Sequence, residues 1–284
     1  IAGMARVMRE KALHVSVSGV LVDTAGTGGD RSGSFNISTT AALVAAGAGV
    51  KVAKHGNRAM SGATGSADVL EALGVNIDLS PEGVQQCIEE VGFGFMFAQR
   101  YHPSMRFAAG PRREIGIRNV FNILGPLTNP AGAKRQVIGV ADPAMARRMA
   151  EVLGTLGSER ALVVHGEDGM DELTITGPSQ VWELKDGSVI EYAFTPNSVG
   201  LQTADAGTLA ATSADDSAAT VRSVLGGTSG PARDVVLLNA AAALAVGGAA
   251  ESLSDGVVQA SESIDSGAAS RVLAGLAELS QTLE

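Results

Sequence analysis

Short apolar runs that end in glycine-rich turns and lead into alanine-rich helical stretches recur along this chain. Val20 to Ala25 is one such run. It ends in Gly26-Thr27-Gly28-Gly29-Asp30, and Ser38 to Gly49 reads as the helix that follows. Val50 to Ala53, Gly94 to Ala98, Gln136 to Ala141 and Ala161 to His165 read as further buried strands. Helices are expected over Ala67 to Leu73, over Met145 to Leu156, and over Pro81 to Val91, where Ser80 supplies the N-cap and Pro81 the first helical position. Strands that alternate with helices in this way specify an α/β fold with a mostly parallel central sheet flanked by helices. Val181 to Leu184 and Val189 to Phe194, joined by Lys185-Asp186-Gly187-Ser188, read as a hairpin. After Ser213 the pattern is helical, through Val221 to Leu225, Val235 to Val246 and Val257 to Leu283.

Two segments depart from the alternation. Near the start, Met4, Val7, Met8 and Leu13 recur on one helical face. His102 to Asn129 is basic and contains no strand pattern. The expected division is a small helical domain, truncated at its N-terminal side, from residues 1–19 and 102–130, and an α/β domain from 20–101 and 131–284. The chain opens on Ile1 rather than Met, so an upstream piece is expected.

Composition narrows the function classes. With 45% apolar and 18% charged residues in 284, the chain can bury a large core and is not wholly disordered. A net charge of −9 and a pI of about 5.0 disfavour nonspecific binding to nucleic acid or to an anionic membrane. The charge is uneven. Phe95 to Arg118 holds five arginines against Glu114, whereas Pro196 to the end holds three arginines against ten acids. An anion pocket would draw on the first region, although a solvated basic helix face has the same composition. Cys87 is the sole cysteine, which excludes an intrachain disulfide and a Cys-rich metal site and fits a reducing, cytoplasmic setting. The most apolar stretch, Val235 to Ala250, contains Asn239 and two glycines and is shorter than the roughly 20 residues a membrane span needs. No signal-peptide pattern is present.

Several short motifs fall at expected strand ends, where open α/β sheets gather ligand groups. The Gly26–Asp30 turn lets the backbone approach a ligand, and exposed N–H groups before a helix favour phosphate, though a plain tight turn has the same spacing. It matches neither a P-loop nor the GxGxxG fingerprint. In Asn36-Ile37-Ser38-Thr39, Asn36 or Ser38 can cap the helix, and the side chains add donors for a phosphate and a hydroxyl for Mg2+. Lys54-His55-Gly56-Asn57-Arg58 groups cationic and hydrogen-bonding side chains around a glycine. Asp171-Glu172 follows the strand ending at His165. Adjacent carboxylates there invite a hard cation, while Glu167 and Asp168 nearby also fit a solvated acidic loop. His102, Arg106, Arg112 and Arg113 lie in the basic region, and Arg offers a planar fork for a carboxylate.

GTGGD, NIST, KHGNR, GSADVLEALG, His102-Pro103, NILGPLTNP and Asp171-Glu172, in this order, resemble the anthranilate phosphoribosyltransferase family from about Val22 to about Gly248. The resemblance implies transfer of the phosphoribosyl group of phosphoribosyl pyrophosphate (PRPP) to anthranilate in tryptophan biosynthesis. It also implies a site in the cleft between a helical and an α/β domain, and a homodimer in the full-length protein. Gly26, Thr27, Gly28, Gly29 and Asp30 would hold PRPP, with Asn36, Ser38 and Thr39 at its phosphates and Lys54 beside them. Gly26, His55, Asn57, His102 and Arg112 would line the anthranilate side, Arg112 facing the carboxylate. Ser38, Asp171 and Glu172 would bind Mg2+, as a pair of ions. Gly110-Pro111 stands where the family has small or apolar helix residues. Pro disfavours helix at the preceding residue, so a displaced Arg112 is expected. A pyrimidine nucleoside phosphorylase shares this architecture but uses free phosphate at a site unlike KHGNR. A non-enzymatic nucleic-acid-binding relative would need a continuous basic face, against which the net charge and the Asp171-Glu172 pair both stand.

Overall fold

The computed structural model describes residues 1–59, 64–115 and 119–284, the side chains of 109, 111–113, 115 and 206 excepted. Seven strands form one sheet: β1 (Leu21–Gly26), β2 (Lys51–Gly56), β3 (Phe93–Phe97), β4 (Arg135–Gly139), β5 (Arg160–Gly166), β6 (Ser179–Lys185) and β7 (Ser188–Phe194). Their order across the sheet is β3-β2-β1-β4-β5-β6-β7. The first five are parallel, and β6 and β7 run antiparallel at one edge. Asp186 and Gly187, at φ 51° and 74°, make the tight turn of the β6–β7 hairpin.

Twelve α-helices accompany the sheet among the described residues: α1 (Ala2–Glu10), α2 (Ile37–Gly47), α3 (Ser66–Ala72), α4 (Pro81–Val91), α5 (Ala98–Tyr101), α6 (Arg106–Ile115), α7 (Phe121–Leu124), α8 (Pro143–Thr155), α9 (Ala214–Leu225), α10 (Pro231–Gly247), α11 (Leu253–Asp265) and α12 (Ala268–Ser280). Side chains alternate across β4 and β5. Val137, Leu162 and Val164 join the larger core, formed with α2 and α10, while Ile138, Ala161 and Val163 pack with α8, Trp182 and Ala5 of α1 on the opposite face. Helices α2 and α10 lack an amphipathic stripe. α2 lies between the sheet and α10–α12, so Ala41 to Ala46 are all buried, as are Val235 to Val246 of α10.

The expected elements are present, with four differences. β2 runs on through Lys54 and His55 to Gly56, because β3 pairs with it residue by residue up to Gly56↔Phe97. The long final helix is two, broken at Ser266 and Gly267, the latter at φ 73°. α1 stops at Glu10, and of its apolar stripe Met8 packs against the core while Met4 and Val7 are exposed. Helix α6 runs through Gly110 and Pro111 without ending there. No helix among the described residues is long and apolar enough to cross a membrane.

The chain leaves β1 toward β2 on one side and enters β4 on the other. The sheet therefore changes direction between β1 and β4, where ligands of such sheets collect beyond the strand ends.

Candidate active site

The first glycine turn lies at that point. β1 and β4 end in register at Gly26↔Gly139, and the turn is stitched onto β4: the Thr27 N–H donates to the Gly139 carbonyl (2.9 Å), and Thr27 Oγ1 accepts from the Ala141 N–H (3.1 Å). Gly28 and Gly29 have φ of 67° and 78°, left-handed values that glycine adopts without strain. The Gly28 N–H then donates to Asp171 Oδ2 at 2.7 Å. Two turns far apart in sequence thus meet. They can do so because both strand ends lack side chains. A Cβ on Gly26 would stand 2.5 Å from Asp171 Oδ2, and one on Gly139 would overlap the Asp171 carbonyl.

Asp171 and Glu172 are carried by the loop after β5. Asp168 braces this loop, accepting from the Thr174 and Thr176 hydroxyls at 2.6 Å each and from the Met170 N–H at 3.1 Å. Burial, and then the neighbouring charge of Asp30, raise the Asp171 carboxyl to about 7. Burial and the charge of Asp171 raise Glu172 well above the usual range, against the pull of Lys54 and a hydrogen bond from the Ser38 N–H. Two crowded carboxylates of this kind are a place where a cation relieves repulsion.

Opposite them stands the start of α2. Asn36 caps it, its Oδ1 accepting from the Thr39 N–H at 3.2 Å. This leaves Ser38 in the first turn, and Thr39 Oγ1 is buried with no hydrogen-bond partner. Lys54, only 1% exposed, reaches in from β2. Its Nζ donates to the Thr24 carbonyl and lies 3.1 Å from Thr24 Oγ1 and 3.2 Å from Ser38 Oγ. Burial lowers Lys54 to about 8, and the charges of Asp23 and Glu172 hold it up.

His55, the next residue of β2, points the other way. Its Nδ1 lies 3.1 Å from the Gly125 carbonyl, so Nδ1 carries the proton and Nε2 is left as an acceptor, buried and without a partner. The His102 ring packs against it in a tilted contact, centroids 5.0 Å apart and planes at 59°. Burial, and then the proximity of His102, bring His55 to about 3, so its ring is neutral, and burial lowers His102 as well. Asn57 is half-buried, its Oδ1 accepting from the Arg58 N–H at 2.8 Å and from Gln99 at 3.4 Å. Arg58 turns away to pair with Asp68 and Glu71. The backbone of Arg112 belongs to α6, but its side chain, and with it the expected displacement, lies outside the described residues.

Residues 18–270 match the model of the glycosyl transferase family, a/b domain. The anthranilate phosphoribosyltransferase of Moorella thermoacetica is 58% identical over 274 residues, 96% of this chain and 81% of that protein. That of Symbiobacterium thermophilum is 55% identical over the whole chain and 83% of its own length. The crystal structure of the Thermus thermophilus enzyme superposes with a TM-score of 0.93 at 49% identity, covering 99% of this chain and 84% of that one. The chain belongs to the anthranilate phosphoribosyltransferase family.

A further family member, from Saccharomyces cerevisiae and solved with PRPP and Mg, superposes at a TM-score of 0.90 with 29% identity, over 99% of this chain and 80% of that one. In the present chain most of the sequence-derived site residues fall into two groups: the Gly26–Asp30 turn, Ser38, Lys54, Asp171 and Glu172 meet in one cluster, and His55 pairs with His102. Three residues beneath them went unread. Asp23, fully buried, accepts from the His55 N–H (3.1 Å) and from Asn129 Nδ2 (2.8 Å), and Asn129 also donates to the Ala53 carbonyl. Thr24 receives Lys54. A carboxylate inside an otherwise apolar strand was the signal for Asp23. Asn129 is the last asparagine of the NILGPLTNP motif, just before Pro130.

Proposed function

We propose that the chain transfers the 5-phosphoribosyl group of PRPP to the amine of anthranilate with release of pyrophosphate, a step of tryptophan biosynthesis in the cytoplasm. The reading rests above all on the hydrogen bond between the Gly28 N–H and Asp171, which brings a phosphate-type turn and a carboxylate pair together. The C1–O bond to pyrophosphate breaks as the C1–N bond forms, and the new arylammonium releases its proton. An aromatic amine is a weak nucleophile and the leaving group is heavily charged, so positioning and electrostatic stabilisation carry most of the barrier lowering. No covalent enzyme nucleophile is required.

The Gly26–Asp30 backbone and the start of α2, with Asn36, Ser38 and Thr39, offer N–H and hydroxyl donors to the phosphates. Lys54 adds a fixed cation whose position Thr24 sets. Gly26, His55, Asn57 and His102 line the side we assign to anthranilate, with Arg112 toward its carboxylate. We read residues 1–19 and 102–130 as part of a helical domain that closes this side.

No three His, Cys, Asp or Glu side chains among the described residues enclose a cation on their own. The donor set instead suits Mg2+, which takes one or two carboxylates and shares substrate phosphate oxygens. Asp171 and Glu172, with Ser38 beside them, would hold it, and the family resemblance implies two ions. Bound there, Mg2+ supplies neutralisation of the departing pyrophosphate. We also read the exposed apolar face of α1 as the contact of a homodimer.

The test mixes the protein with PRPP, Mg2+ and anthranilate. Anthranilate fluorescence is expected to decay only when all three are present. Absence of decay, or phosphorolysis of a pyrimidine nucleoside instead, overturns the reading.

A further inference from the structure

Every residue of α10 from Val235 to Val246 is buried, and all but one are Val, Leu or Ala. The exception is Asn239, 2% exposed. A buried amide in such a helix needs partners for its carbonyl and its NH2 group. Nδ2 makes one ordinary bond within the helix, to the Val235 carbonyl at 2.9 Å. Its other two bonds go to one residue in a distant segment: Oδ1 accepts from the Leu173 N–H at 3.1 Å, and Nδ2 donates to the Leu173 carbonyl at 2.8 Å.

Leu173 directly follows Glu172. Its side chain is fully buried, so its backbone cannot turn to water. The amide of Asn239 does for Leu173 what a neighbouring strand would do, satisfying both main-chain groups at a place where the sheet has ended. On the other side of the carboxylate pair, Asp168 takes the Met170 N–H and the Gly166 N–H donates to the Met170 carbonyl (2.9 Å). Beneath it lie the bare ends of β1 and β4. An apolar side chain at 239 would leave the Leu173 N–H and carbonyl buried and unpaired. The loop would relieve them most cheaply by moving outward, taking Asp171 and Glu172 away from Gly28.

We infer that Asn239 is a positioning residue of the phosphoribosyl-transfer site: from the middle of α10 it clasps both main-chain groups of Leu173 and so fixes the Asp171–Glu172 pair over the glycine turn. The inference rests on the function proposed above. It concerns a residue that touches neither substrate, acting only through the backbone it holds.

The experiment compares wild type with Asn239→Leu and Asn239→Asp, the latter of equal volume but without the two Nδ2 donations. Hydrogen exchange of the ligand-free proteins is followed over residues 168–176, and steady-state kinetics are measured against Mg2+, PRPP and anthranilate. Faster exchange in that segment is expected, with exchange in β1 and β2 unchanged. Outer partners of metal ligands commonly tune affinity by about 10-fold or more, so the half-saturating Mg2+ and the KM for PRPP are expected to rise by about 10-fold while the KM for anthranilate stays within about 2-fold. A folded Asn239→Leu protein with wild-type exchange and Mg2+ response overturns the inference. So does a uniform fall in kcat with every KM unchanged, the signature of fewer folded molecules. If Asn239→Leu does not fold, Asn239→Asp is judged by the same criteria, and failure of both to fold makes Asn239 a scaffold residue only. A wild-type protein that consumes no anthranilate defeats the functional reading, whereas the exchange data still decide whether Asn239 holds the loop.

Discussion

Asp171 illustrates at the scale of a residue how the site is set against the stability of the free protein. Burial and the charge of Asp30 raise its carboxyl from 3.8 in the unfolded chain to about 7. Between those pH values the folded protein keeps a proton that the unfolded chain has released, so its stability falls as pH rises through the window and levels off above about pH 7. Asn at this position carries no charge. Asp171→Asn is therefore expected to melt higher than wild type in metal-free buffer at pH 8. The difference shrinks toward pH 4, with a limiting slope of about 1.4 kcal/mol per pH unit. The neutral His55 pulls the other way, losing stability as pH falls from 6.5 toward about 3, but both proteins share it and it cancels in the comparison. Thermal melts of the two proteins across this range test the point, and a pH-independent difference would refute it. Lys54, Asp171 and Glu172 were legible as charged residues at strand ends. Asp23 stood out only as a carboxylate in an apolar run, because its meaning depends on Asn129, a partner supplied only by the folded turn after α7.

Among the elements, the ends of β1 and β4 do the most for the site. Alternation of strands and helices was enough to locate both strands. It gave no hint that Gly139 matters, since the demand on that glycine comes from a loop beyond the next strand. The extension of β2 through Lys54 and His55 was hidden for a similar reason: polar residues read as a loop until β3 is there to pair with them. The asymmetry at Gly139 can be measured. A methyl group there meets the main chain of Asp171, which cannot rotate away as a side-chain tip could. Gly139→Ala is expected to cost about 1–3 kcal/mol through overpacking. Displacing the carboxylate pair by about 1 Å is expected to lower turnover by about 100-fold. Circular dichroism and steady-state kinetics on the same preparation separate the two effects, and wild-type turnover in Gly139→Ala would show that the glycine floor does not position Asp171.

At the scale of the whole molecule, the alternation of strands and helices led to a mixed α/β protein with a mostly parallel sheet. The order of the strands, and hence the point between β1 and β4 where the site gathers, follows from which helix crosses which face, and that is settled by packing rather than by local pattern. The same packing accounts for α1. Its apolar residues recur on one face, and Met4 and Val7 are 40% and 54% exposed, beside a hollow of about 370 Å3 lined also by Gly3, Met8 and Phe121. Contiguous apolar surface of this kind marks an interaction site. A second copy can cover it without meeting a charge, since the five residues lining the hollow are all apolar or glycine. Sedimentation velocity is expected to find a dimer at micromolar concentration. Val7→Glu buries a carboxylate in the contact and is expected to give a monomer with an unchanged circular dichroism spectrum. A dimer that survives Val7→Glu would move the contact away from α1, and a wild-type monomer at every concentration would remove the homodimer from the reading while leaving the chemistry of the Gly28–Asp171 cluster untouched.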